Sequence, residues 1–366
     1  MAPCVSSTLS SSPQTYKARI DNLNASARSL TDRLAVLDTR GPGRLASRIK
    51  WITPQNFPGN SGDGTMNLHG FDIRVDHNTD VLRVLLINHR PPFDPVTGEP
   101  LDPKVVGANS TIEQFQTTAG SDTMKHVRTY ASEVIATPNS VTWVSDHAFV
   151  FTNDHGSRKV GLVCSPPHPF PPIHSSNSQI PQRRQLDPLL GGSNIGYCDR
   201  NRCSIASSGI TFGGANGIIR GRDGLIYVAQ TYTGKITVLS LDENHVLTEV
   251  DSFDTGLPLD NLTVDKEGDI FAAGFPVAWK WGESAKRPFE VDPPSAVFRV
   301  SREGRGWSRK DMKRGEWHKG EYYVEKVLED DGSVLPGATV AVHDAETGRF
   351  FLGGAVAPYI TICETR

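Results

Sequence analysis

Leu257-Pro-Leu-Asp-Asn-Leu-Thr-Val-Asp-Lys-Glu-Gly-Asp-Ile-Phe-Ala-Ala-Gly274 decides the fold. Leu262, Thr263 and Val264 favour a strand, and so do Ile270 and Phe271. Asp265-Lys-Glu-Gly268 between them carries the Asp and Gly of a hairpin turn. Asp260 and Asn261 stand just ahead of the first strand. They are short, oxygen-bearing and adjacent, on backbone about to become rigid. A hard cation such as Ca²⁺ finds ligands in such a place.

The pattern recurs along the chain. Moving back 44 positions (260 − 216) puts Asn216 in the place of Asp260, with Gly224, Ile226, Tyr227 and Ala229 in step. Moving back 77 more (216 − 139) gives Asn139, followed by Val141, Trp143, Phe149 and Phe151. Another 70 (139 − 69) gives His69 in Leu68-His-Gly-Phe-Asp-Ile73. A fifth, degenerate copy runs from Thr339 to Leu352 with Gly348 at its turn. Repeats of this size built from short strands predict an all-β fold, a β-propeller. The first strand of every propeller blade lines the central channel, so equivalent positions at its mouth converge. Asn and Asp also start turns for local reasons alone. Four copies in register favour convergence of His69, Asn139, Asn216 and Asp260 on one site.

The 366 residues allow one large all-β domain or two smaller ones, and 34 Gly with 25 Pro fit many short strands and turns. A net charge of −3 offers no footprint for nucleic acid or an anionic membrane. No stretch reads as a transmembrane helix, and no basic-then-apolar signal peptide opens the chain. Residues 1–20 are expected to be a disordered segment, residues 21–366 one propeller domain, and residues 165–196 a long Pro/Ser-rich loop insertion. Arg33–Leu37 and Ser47–Trp51 read as a pair of outer strands whose inner strand is not found. Val81–His89, Ser110–Gln116, Met124–Tyr130, Ser295–Val300 and Tyr322–Val327 read as further strands. Trp279–Pro294 reads as a loop and Arg302–Lys319 as a basic surface excursion. Asp154 and His155 leave polar side chains at a strand end. Of five cysteines, Cys198 and Cys203 have the spacing of a local disulfide, not of a zinc site. Cys4, Cys164 and Cys363 remain, an odd number that leaves the redox compartment open.

Several words of the sequence resemble the serum paraoxonase/arylesterase family, in particular its fungal-type members. They are Asn67-Leu-His-Gly-Phe-Asp72, Leu86-Ile-Asn-His89, Pro138-Asn139, Thr152-Asn-Asp-His155, Ala215-Asn-Gly-Ile218, Leu259-Asp-Asn-Leu-Thr-Val-Asp265 and Thr361-Ile-Cys363. Their order and spacing carry the resemblance from about Asn67 onward. It implies a six-bladed β-propeller with two Ca²⁺ ions in its tunnel, hydrolysing lactones, aryl esters and phosphotriesters. Asn139, Asn216, Asp260 and Asn261 match ligands of the catalytic calcium. His69 and His89 match the histidine dyad, with His69 as base toward water. The Phe71 carbonyl matches a ligand of the structural calcium, and Asp154 and His155 match pocket residues.

The resemblance has gaps. The family supplies a Glu-Asp calcium-ligand pair from an early innermost strand, and no such pair precedes His69 here. Pro3-Cys-Val-Ser6 resembles the end of that strand, so an N-terminally truncated chain with an incomplete first blade is expected. Cys363 is then expected to lack the family's cysteine partner. Ser140 stands where the family has Asp. One catalytic ion is therefore expected, with the structural ion weakly held. The implied substrate is a small ester or lactone, and no Gly-x-Ser-x-Gly nucleophile elbow competes with a water mechanism. A non-catalytic propeller that binds a ligand or protein is the rival. A strictosidine-synthase-like propeller without calcium fits the retained ligands poorly.

Overall fold

A computed structural model describes residues 4–8, 32–59, 64–76, 79–156, 192–287, 290–302, 317–319, 322–355, 357 and 359–364. The strands follow in chain order. β1 (Cys4–Thr8) opens the chain, and β2 (Ala35–Leu37) pairs with β3 (Ile49–Trp51). β4 (Thr53–Gln55), β5 (Leu68–Asp76), β6 (Val81–Arg90), β7 (Asn109–Thr118) and β8 (Thr123–Tyr130) form one sheet in the order β4-β8-β7-β6-β5. β9 (Pro138–Trp143), β10 (Phe149–Asn153), β11 (Asn194–Cys198) and β12 (Cys203–Ile205) form the second. β13 (Ala215–Arg220), β14 (Ile226–Gln230), β15 (Lys235–Leu241) and β16 (Leu247–Asp254) form the third. β17 (Leu259–Val264), β18 (Ile270–Gly274), β19 (Ser295–Arg302), β20 (Trp317–Lys319) and β21 (Tyr322–Asp330) form the fourth. β22 (Val340–Asp344), β23 (Arg349–Gly353) and β24 (Tyr359–Glu364) join β1 in the fifth. The protein is all-β, and among the described residues there are five propeller blades and the separate β2–β3 pair.

Hydrophobic cores lie between consecutive blades, as stacking of two-faced sheets requires. Leu85, Ile87 and Ile112 meet Val141, Trp143, Phe149 and Phe151. Val150 and Ile195 meet Ile218 and Val228, and Ala229 and Val238 meet Leu259 and Leu262. Phe271 and Val297 meet Ala341, Phe350 and Leu352. The short strands β10, β14 and β18, with a neighbouring blade on each face, are buried throughout.

Polar bonds join one innermost strand to the next. The Asp72 carboxylate accepts the Thr142 hydroxyl at 3.0 Å and the Trp143 N–H at 2.9 Å. Burial pushes Asp72 up to about 6. The Ile218 N–H donates to the Ser140 hydroxyl at 3.3 Å, and the Thr263 hydroxyl donates to the Ala341 carbonyl at 2.6 Å. Innermost strands β5, β9, β13, β17 and β22 therefore follow one another around a common axis.

Gly217 shows how close they come. A Cβ there would lie 2.6 Å from Asn261 Cα, the Asp260 carbonyl oxygen and the Leu262 nitrogen. Backbone on both sides leaves nothing to yield. Gly217→Ala is expected to cost about 1–3 kcal/mol or more as overpacking. Gly282→Ala is the control, because its Cβ meets nothing within 4 Å inside a helix and is expected to be neutral or slightly stabilising. Urea midpoints of the two variants measure the contrast.

Five expectations need correction. Cys4–Thr8, placed in the disordered segment 1–20, forms β1, because β24 offers it an open edge. The rest of that segment, 9–20, lies outside the described residues. Cys363 is disulfide-bonded, and Cys4 stands opposite it in register, against the expectation that it lacks a partner. Asn194 already begins β11, so the 165–196 insertion ends earlier than expected; its residues 165–191 lie outside the described ones. Ala278–Lys286, expected as loop, is a helix, in which Glu283 pairs with Lys286 at 3.2 Å and helps close the last turn by accepting from Arg287. Of the basic excursion, Trp317–Lys319 is strand β20 on the edge of the fourth blade. The Cys198–Cys203 disulfide forms between β11 and β12.

Candidate metal and catalytic site

His69, Asn139, Asn216 and Asp260 are each the second residue of the innermost strand of their blade. Each opens the same irregularity. In β5 the register jumps from Leu68↔Asn88 to Phe71↔Leu86, so His69 and Gly70 face the single residue Ile87. In β9, Asn139 and Ser140 face Thr152. In β13, Asn216 and Gly217 face Ala229, and in β17, Asp260 and Asn261 face Ala273. Two residues against one is a β-bulge, which re-aims side chains at a strand end. β22 pairs regularly with β23 from Val340↔Gly353 onward, so the degenerate fifth copy carries no such step.

The second member of each bulge meets the following blade. Gly70 is pressed on Asn139 and Ser140, where a Cβ would lie 2.3 Å from the Asn139 carbonyl oxygen. Gly217 is pressed on Asp260–Leu262 in the same way. Asn261 donates through its backbone N–H at 3.1 Å and through Nδ2 at 3.0 Å to the Thr339 carbonyl. The first member of the bulge is left to the site.

Oxygen gathers there. Asp260 is buried, and its Oδ1 accepts from Asn261 Nδ2 at 2.9 Å. Asn139, also buried, donates through Nδ2 to Asp154 Oδ2 at 3.5 Å. His155 Nε2 lies 3.8 Å from the same oxygen. Asn216 Nδ2 donates to Thr231 Oγ1 at 3.0 Å, while Asn216 Oδ1 is buried with no hydrogen-bond partner. Burial pushes Asp260 up to about 7; the Asn216 amide offsets part of that rise, and the Asp154 carboxylate adds to it. A buried carboxylate beside a second one, with an amide oxygen left unsatisfied, is a donor set that a hard cation would complete. Among the described residues no group of three His, Cys, Asp or Glu side chains forms a metal cluster. The set here is two carboxylates among amides.

The histidines form a chain of their own at the start of β5 and the end of β6. His69 Nδ1 and His89 Nε2 are 3.0 Å apart, and His89 Nδ1 is 2.9 Å from Ser110 Oγ. His89 is held in place by its N–H donating to the Asn67 carbonyl at 2.8 Å, and Asn88 Oδ1 accepts the Asn67 N–H at 2.9 Å. His69 is exposed, as a group that meets substrate or water must be.

Of the residues matched to a second ion, Ser140 accepts the Ile218 N–H at its hydroxyl, and Phe71 follows Gly70, which is pressed on Ser140. Sequence reasoning missed Ser110, Thr231 and the Thr339 carbonyl. Only the small residues Gly70, Ser140 and Gly217 behind three of the site positions signalled the bulge.

Comparison with known proteins points the same way. The arylesterase family model matches residues 186–364. Human serum paraoxonase/arylesterase 2 is 27% identical over 298 residues, 79% of this chain and 66% of that protein. Human serum paraoxonase/arylesterase 1 is 24% identical over 280 residues, 76% of this chain and 63% of that protein. Mouse serum paraoxonase/lactonase 3 is 27% identical over 280 residues, with the same two coverages. The chain thus spans just under two thirds of the length of these relatives. Family model and relatives agree in what the chain is similar to, the serum paraoxonase/arylesterase family.

Proposed function

We propose that the chain is a calcium-dependent hydrolase of lactones and aryl esters, acting through water and not through a covalent intermediate. The observation that supports this reading is the bulge shared by four innermost strands, with His69, Asn139, Asn216 and Asp260 each as its first member. Asp260, Asn216, Asn139 and Asn261 would hold one Ca²⁺. The bound ion supplies a Lewis acid for the carbonyl or phosphoryl oxygen of the substrate. Asp260 provides the negative charge, and the three amides hold without neutralising. His69 takes a proton from water, and His89 orients His69 through the 3.0 Å bond. Asp154 and His155 line the pocket and set its polarity.

The scaffold in this reading is a six-bladed propeller, with β2–β3 as outer strands of the sixth blade. Its support is the bare apolar stripe of β5: Phe71, Ile73 and Val75, alternate residues, are 53%, 43% and 43% exposed. That face is the one a neighbouring blade covers. A non-catalytic propeller is the second reading, favoured by the occupied hydroxyl at Ser140.

The test is a panel of phenyl acetate, a δ-lactone and an aryl phosphotriester under saturating calcium. Turnover of the ester or the lactone is the expected result. Calcium binding with no turnover of any of the three would favour the binding module.

A further inference from the structure

The Ser110–His89–His69 chain has a direction that the dyad alone does not fix. Ser110 is buried, at 6% exposure, and sits on β7 directly opposite His89 in the β6–β7 register. Its hydroxyl can either accept from His89 Nδ1 or donate to it. If it accepts, His89 carries its proton on Nδ1 and presents a lone pair at Nε2. His69 must then donate through Nδ1 across the 3.0 Å contact, and its own lone pair stands at Nε2. If the hydroxyl donates, both rings reverse, and His69 carries its proton on Nε2. Only the first arrangement leaves a base at the outer nitrogen of His69. The hydrogen bond at one ring nitrogen decides which tautomer a histidine holds.

We infer that Ser110 is a positioning residue: its hydroxyl accepts from His89 Nδ1 and thereby locks both rings as Nδ1–H tautomers, with the lone pair of His69 at Nε2. The consequence for catalysis rests on the hydrolase reading above. So does the choice between the two arrangements, because a base at His69 Nε2 is what selects the first. Neutral histidine in water prefers Nε2–H, so two Nδ1–H rings in series need an acceptor at the end of the chain. Ser110 is that acceptor. Its cross-strand place on a β-ladder fixes the geometry without help from a loop.

The experiment is two-bond ¹⁵N–¹H correlation spectroscopy of ¹⁵N-histidine-labelled chain in excess calcium chloride at about pH 8.5, where free histidine is neutral. His69→Gln and His89→Gln assign the resonances. The expected result is the Nδ1–H pattern for both rings. In Ser110→Ala, His89 should change to Nε2–H and His69 should follow it. Ser110→Thr, which keeps the hydroxyl, should restore the wild-type pattern. Phenyl acetate turnover should fall roughly tenfold or more in Ser110→Ala and recover in Ser110→Thr. An Nε2–H pattern for His89 in the wild-type chain overturns the inference. So do tautomers that stay unchanged in Ser110→Ala. The wild-type spectrum decides by itself if the Ala variant fails to fold. A chain with the expected spectrum that hydrolyses none of the esters upholds the tautomer assignment and sinks the hydrolase reading.

Discussion

Asp260→Asn is expected to do two opposite things. With calcium present, ester hydrolysis should be lost, because the ion loses the negative ligand offered by its innermost strand. Site charge is a main lever on calcium affinity, and the apparent Kd should rise roughly 10²-fold or more. Without calcium, the same substitution should stabilise the fold at alkaline pH. Asp260 has a folded value of about 7 against an ordinary 3.8, raised first by burial and further by Asp154. A raised acid holds its proton more tightly folded than unfolded. Its contribution is fully present below about pH 4 and lost as pH rises through 7. The loss amounts to roughly 3–5 kcal/mol. Asn carries no such penalty. Urea midpoints in EGTA should therefore place Asp260→Asn above wild type at pH 8, with the gap closing toward pH 4. In calcium the order at pH 8 should reverse, since ligand bound to the native state stabilises it by mass action. A variant less stable than wild type at pH 8 in EGTA would show that Asp260 is a structural hydrogen-bonding residue.

His69→Gln is the second large effect. Gln keeps a polar head of similar reach but cannot take a proton at neutral pH. Turnover of phenyl acetate and of the lactone should fall by roughly 10²–10⁴, the usual worth of a general base. Calcium affinity should not move, because His69 is not among the oxygen ligands. Calorimetric calcium titration beside the kinetic assay separates the two. Unchanged turnover would leave the histidine pair structural and require another base.

The sequence announced the repeat because turns and strands are local. Asp265 with Gly268, and Asp223 with Gly224, fold their hairpins from neighbouring residues: Asp265 Oδ1 accepts the N–H groups of Glu267, Gly268 and Asp269. That locality is why His69, Asn139, Asn216 and Asp260 align by spacing along the chain alone. The bulges were legible only in the small residues Gly70, Ser140 and Gly217. An extra residue in a strand follows from its partner's register, and partner strands are chosen by the whole blade. The approach of Asp154 to Asp260 was equally hidden, since it depends on how blades stack. The helix Ala278–Lys286 was obscured by Pro276 and Pro288, which punctuate a segment too short for clear periodicity. β1 carried no strand signal beyond its own few residues; β24 supplies the ladder that makes it a strand. β20 was hidden by the charged run around it and is likewise made by its partner, β21.

The central claim is that calcium held by Asp260, Asn216, Asn139 and Asn261 makes this chain an esterase. Its most direct test is the initial rate of phenyl acetate hydrolysis by metal-stripped chain, followed while free calcium is raised from EGTA-buffered levels to saturation. The account predicts no hydrolysis above the uncatalysed rate in EGTA, and a single saturable rise whose midpoint matches the calcium affinity measured by calorimetry. A rate that is the same in EGTA and in saturating calcium would contradict it.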